Sequence, residues 1–144
     1  MSRSFVWLGV ATFLCFGLVA RAGESEDIAA GRDLFEQHCE LCHGAEGRGD
    51  GPLADELRVA PADLTHISQR RGGEFPEVEV REIIDGRRIV HGHGKSDMPI
   101  WGRALGGGAA AGAAKEAEVK RKIDQLVVFL RSIQSRSPAT VGQR

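Results

Sequence analysis

Two cysteines three positions apart with a histidine directly behind the second, Cys39-Glu40-Leu41-Cys42-His43, constrain this chain more than any other feature of it. Thiols and an imidazole at that spacing hold a zinc ion, run thiol–disulfide exchange, or anchor a covalent haem. The spacing has a physical meaning, because in a helical turn side chains three apart are neighbours on one face and the next residue projects beside them. A closed zinc site wants four ligands, usually as two pairs, and outside the motif only His91 and His93 offer two more donors close together. Dithiol exchange usually sits in an α/β setting, and no strand candidate of any strength appears in this sequence. A disulfide between Cys39 and Cys42 would close so short a loop that it would restrain the unfolded chain little. In the C-x-x-C-H pattern for haem, each thiol adds to a vinyl group and the histidine becomes an axial iron ligand.

The start of the chain bears on the cysteine count. Arg3 precedes an apolar and small-residue run over residues 5–20, and Ala20-Arg21-Ala22 offers small residues where a signal peptidase reads them. The run holds 16 residues, short of the roughly 20 that a spanning helix needs. Residues 1–22 are therefore expected to be an export signal, with an uncleaved anchor as the competing reading. Cleavage would remove Cys15 and leave Cys39, Cys42 and a single methionine, Met98. It would also remove Arg3 and Arg21 from 19 basic residues set against 20 acidic ones, leaving a net charge of about −3. No uniform basic field exists to attract nucleic acid.

Along the remaining chain the apolar periodicity is helical. Ile28, Leu34, Phe35 and Leu41 predict a helix over 24–42, with Glu24, Glu26 and Asp27 at the end where its dipole favours them. Gly44, Gly47, Gly49, Gly51 and Pro52 then mark a loop. A short helix is expected over 53–59 and another over 77–85, the latter burying Val80, Ile83 and Ile84 before Gly86 stops it. Residues 86–103 show no period and read as a long loop, and 105–114, rich in glycine and alanine, as a mobile excursion. Over 115–134, Val119, Ile123, Leu126, Val127, Leu130 and Ile133 recur at offsets of three and four, the strongest amphipathic signal present. The prediction is an all-α fold of short helices and long loops, with one domain over 23–136 and a frayed tail over 137–144.

Taken together, "GRDLFEQHCELCHG", "GDGP", "PADLT", "SDMPIWG" and "IDQLVVFLRSI" resemble class I c-type cytochromes, in order and spacing, over residues 29–133. The resemblance implies the class I cytochrome c fold packed around one covalent haem c, attached through Cys39 and Cys42, with His43 as proximal and Met98 as distal iron ligand. It implies that Pro52, nine positions after His43, supplies the carbonyl that accepts the imidazole N–H, with Pro61 as the other candidate. It also places Gly31 and Phe35 where the N-terminal helix crosses Leu126, Phe129 and Leu130 of the last one. Trp101 is expected near the haem edge, its indole shielding the cofactor and its N–H meeting a polar group such as a propionate. The chain departs from the simplest members in the insert at 106–112 and in His91 and His93, read as solvated loop side chains that stand close enough to Met98 to replace it. His38 and His66 read as surface residues.

Histidine and methionine together leave the iron no open position, so the implied function is single-electron transfer between redox partner proteins in the periplasm or another exported compartment. Alternatives are a cytochrome subunit of a larger dehydrogenase or oxidase complex, and, ranked last, a high-spin haem protein acting on gases or peroxide. Charge divides unevenly, with 3 basic and 10 acidic residues over 23–58 against 14 and 10 over 59–144. Arg87, Arg88, Lys95 and Arg103 flank the methionine and are expected to steer an acidic partner. A membrane enters only if the first segment stays attached.

Overall fold

The computed structural model describes residues 7–86, 98–108 and 110–135, with side chains described from residue 23 onward. His91, His93, Arg87, Arg88 and Lys95 lie outside the described residues. The described part is helical and contains no strand, as the absence of any period of two predicts. Five α-helices are separated by 3-10 turns: α1 (Trp7–His38), α2 (Glu40–His43), α3 (Glu77–Asp85), α4 (Trp101–Ala104) and α5 (Ala113–Ser132). The helix expected over 24–42 is the later part of α1 together with α2, the break falling at Cys39. Among the described residues no helix is long and apolar enough to cross a membrane.

The core forms where α1 crosses α5. On α5 the predicted stripe is buried, and Gln125 and Phe129 join it, so the helix is enclosed on more than one side. Phe35, Leu126, Val127 and Phe129 bury essentially their whole side chains, each contributing about 1.5–3 kcal/mol of transfer free energy. The rings of Phe35 and Phe129 meet at 5.3 Å and 50°. This contact depends on Gly31, because a Cβ there would stand 2.1 Å from the Gln125 carbonyl oxygen and 2.8 Å from Phe129 Cβ. Gln125, the buried polar residue of the crossing, donates from Nε2 to Asp27 Oδ1 at 3.1 Å, so its burial leaves that amide bonded.

Helix α3 follows its expected bounds, with Gly86 closing it at φ +85° and donating back to Glu82 and Ile83. Arg81 donates to Asp124 at 2.6 Å and Lys120 reaches the same carboxylate at 2.6 Å, fastening α3 to α5. Arg131 bridges Glu24 at 2.9 Å and Glu77 at 2.6 Å.

The short helix expected over 53–59 is reduced to a 3-10 turn at Ala54–Glu56, with Leu57 already extended, and two further stretches show more structure than the sequence suggests. The segment read as one long loop contains α4, whose buried Gly102 lies against Asp85 at the end of α3. The glycine-rich insert is tied near its start: Gly107 N–H donates to Gly102 O at 2.9 Å, and Gly108 N–H to Glu116 Oε1 at 2.6 Å. Glycines let the chain turn tightly enough to deliver those donors on the way from α4 to α5.

Candidate haem site

Cys39 sits at the junction of α1 and α2 in the helical region, φ −119° and ψ −34°. Its carbonyl accepts from Cys42 N–H at 3.2 Å and from His43 N–H at 2.9 Å, so one helical turn holds the whole motif. The two thiols are not joined. Burial, with the neighbouring Cys42 adding to it, pushes the Cys39 thiol up to about 12. Cys39 is therefore not held as the thiolate that exchange chemistry needs at neutral pH.

Both cysteines and His43 line a cavity of about 300 Å³. Met98 and Pro99, from the segment before α4, line it as well, as does Trp101. Apolar side chains of α1, α3 and α5, among them Phe35, Val80, Ile84 and Leu126, complete the wall. This wall gives whatever the thiols, imidazole and thioether hold a largely apolar surround.

The His43 ring is fixed by its own hydrogen bond, Nδ1–H donating to Ala62 O at 3.0 Å. That places the proton on Nδ1 and the lone pair on Nε2, the tautomer a metal-binding imidazole requires. The acceptor expected at Pro52 is thus Ala62. Pro52 is exposed and stands off the cavity, which Pro61 and Ala62 line. The physical reason is the path of the glycine loop. Gly49 N–H donates to His43 O at 2.8 Å, Leu64 N–H to Gly47 O at 2.7 Å, and Gly49, at φ +83°, lies so close to Pro61 that a Cβ would stand 2.4 Å from its carbonyl. The loop therefore folds back and brings residues 61–63, not 52, beside the imidazole.

Several cavity residues carry no signature in the sequence alone. His38, read as a surface residue, is half-buried, lines the cavity and packs its ring 5.1 Å from that of Trp101. His66, read likewise, is half-buried and its Nδ1–H donates to Asp63 Oδ2 at 2.8 Å. Burial would raise the Asp63 carboxyl, but hydrogen bonds from the Thr65 hydroxyl and N–H and from His66 outweigh it and hold the group below its ordinary range. Arg70 and Arg71 stand on the cavity rim, Arg70 donating to Asp63 O at 2.7 Å and Arg71 pairing with Glu79. The one signal that pointed here was Asp63-Leu64-Thr65, an acidic residue placed to cap a turn two residues on.

Two thiols, an imidazole in the metal-binding tautomer and a thioether around an apolar cavity are a donor set suited to a c-type haem. Among the described residues no group of three or more histidine, cysteine or acidic side chains is placed to hold a metal ion; His91 and His93, the further donors a zinc site would draw on, lie outside them. Residues 26–115 match the family described as cytochrome c oxidase, cbb3-type, subunit III. The chain belongs to this family, and it is a class I c-type cytochrome: an all-α haem c domain that serves as an electron carrier or an electron-carrying subunit. It is also 43% identical over 65 residues to the dihydro-heme d1 dehydrogenase of Pseudomonas aeruginosa, a match covering 42% of this chain and 12% of that protein. The matched region is thus a small part of that relative. No solved structure matches the chain.

Proposed function

We propose that this chain carries one haem c through thioethers to Cys39 and Cys42, with His43 and Met98 as axial ligands, and shuttles single electrons between redox proteins outside the cytoplasm. The observation that carries this reading is the gathering of those four side chains, drawn from the α1–α2 junction, α2 and the segment before α4, around one largely apolar cavity. When bound, the haem supplies a one-electron ferric–ferrous couple. The rest of the work belongs to the protein. Ala62 O holds the His43 proton on Nδ1 and so orients the ring and raises its basicity. The Met98 thioether favours the ferrous state and raises the potential. Two protein ligands would leave no position for a substrate, and with both ligands attached in either oxidation state and a largely apolar surround, little would have to reorganise as the charge changes.

Absorption spectra of the purified exported protein in both oxidation states, with denatured haem still bound to the polypeptide, are the expected result. A purified protein holding zinc or a disulfide at Cys39 and Cys42, with no haem, would refute the reading.

A second reading is favoured by the comparisons: that the domain serves as the cytochrome part of a larger dehydrogenase or oxidase assembly. Purification from its native host with a stoichiometric oxidoreductase partner would establish it, and a monomer active with small redox proteins would exclude it.

A further inference from the structure

The bond from His43 to Ala62 O is only as good as the placement of that carbonyl, and the Ala62 methyl offers no polar atom with which to hold it. What holds it is the residue after it. Asp63 caps the 3-10 turn Leu64–His66: its Oδ1 accepts from Thr65 N–H at 2.8 Å and from the Thr65 hydroxyl at 2.6 Å, while Oδ2 accepts from His66 Nδ1 at 2.8 Å. Its backbone carbonyl accepts from Arg70 Nη2 at 2.7 Å. Three donors on the carboxylate and one on the carbonyl fix the peptide immediately following Ala62.

The turn that Asp63 caps is itself anchored to α5. Gln134 donates from Nε2 to Leu64 O at 2.8 Å and accepts from Ser68 N–H at 2.9 Å, and Ser135 N–H donates to Thr65 O at 2.8 Å. From the other side, Gly47 O takes Leu64 N–H and Gly49 lies against Pro61 O. The carbonyl facing His43 is therefore set between a glycine loop that leaves room for it and an aspartate that aims it.

We infer that Asp63 is a positioning residue for the proximal imidazole, acting through the Ala62 carbonyl to set the strength of the His43 N–H bond and with it the reduction potential. The inference rests on His43 being an iron ligand. A strong acceptor on Nδ1–H makes the imidazole a better donor, which favours ferric iron, so loosening the acceptor raises the potential.

The test compares the haem-loaded wild type with Asp63→Ala and Asp63→Asn, by midpoint potential and by proton NMR of the His43 ring N–H in the ferric protein. Asp63→Ala loses every side-chain acceptor. Its ring N–H should exchange with solvent roughly tenfold faster, the protection that about one hydrogen bond provides, and its potential should rise. Asp63→Asn keeps an oxygen for Thr65 while losing the charge, so its ring N–H should exchange nearly as slowly as the wild type. Thr65→Val, which removes one donor and leaves the backbone bond, should fall between wild type and Asp63→Ala. If Asp63→Ala and Asp63→Asn show the same potential and both keep the wild-type exchange rate, the residue acts by charge alone and the positioning role is overturned. A wild-type spectrum without hyperfine-shifted His43 ring protons would instead overturn the ligand assignment, and the inference with it, before any variant is made.

Discussion

Gly31→Ala sets two physical effects against each other. In the middle of a helix, alanine for glycine is worth roughly 1 kcal/mol in favour of the variant. Here the new methyl would stand 2.1 Å from Gln125 O, 2.7 Å from Gln125 C and 2.8 Å from Phe129 Cβ. Two of those atoms are backbone, so no side-chain rotation relieves them, and α1 and α5 must separate by about 1 Å to restore ordinary contact distances near 3.2 Å. Separation also loosens the Phe35–Phe129 pair and the Asp27–Gln125 bond. Overpacking of this kind costs about 1–3 kcal/mol, and a clash against backbone on both sides belongs at or above the upper end. The net expectation is a loss of about 2 kcal/mol, a fall in Tm of roughly 8 °C for a domain of this size. Thermal unfolding of the haem-loaded protein by circular dichroism measures it, with Ala29→Gly on the exposed face of the same helix as control. Both variants should destabilise, Gly31→Ala the more, although propensity alone gives them opposite signs. A Gly31→Ala protein as stable as the wild type would refute the close crossing.

Met98→Ala should leave the haem covalently attached, lower its potential and let carbon monoxide bind the ferrous form; an unchanged spectrum and potential would show that Met98 is not the ligand. The Asp124 carboxyl is raised by burial, but hydrogen bonds from Lys120 and Arg81 and the charges behind them prevail and hold it below its ordinary value near 3.8. Its contribution to stability is therefore complete above that value and is lost as pH falls through the lower folded one. Asp124→Asn should be less stable than the wild type at neutral pH, and the gap in Tm should close on acidification below 3.8. Mass spectrometry of the exported protein should find Gly23 at its N-terminus; retention of residues 1–22 in a membrane fraction would make it an anchored cytochrome instead.

The helices were legible where burial leaves a periodic trace. Residues 77–85 form a helix within the bounds that Val80, Ile83, Ile84 and Gly86 indicate, and α5 begins two residues before the expected start. Cys39, Cys42, His43 and Met98 were legible because side-chain chemistry marks them. The acceptor for His43 was not, since a carbonyl is common to every residue and only the folded path of the glycine loop decides which one arrives. Spacing favoured Pro52, and the fold delivers Ala62. His38 illustrates the same limit: it is unremarkable in its own segment, and its ring contact with Trp101 exists only in the folded chain. α4 itself, four residues long, is too short to show a period at all.

The crossing of α1 with α5 also governs when the site can come into being. Asp27 and Gln125, which meet there, are 98 residues apart in sequence, so the core closes only after nearly the whole domain has been made. Such non-local closure is slow compared with the formation of either helix. Until α5 docks, Phe35 and the Cys39 thiol that packs against the same cluster remain open to solvent. The order of events is thus written into the topology: the two cysteines emerge early and stay reachable, and α5, made long after them, completes the cluster against which Cys39 packs.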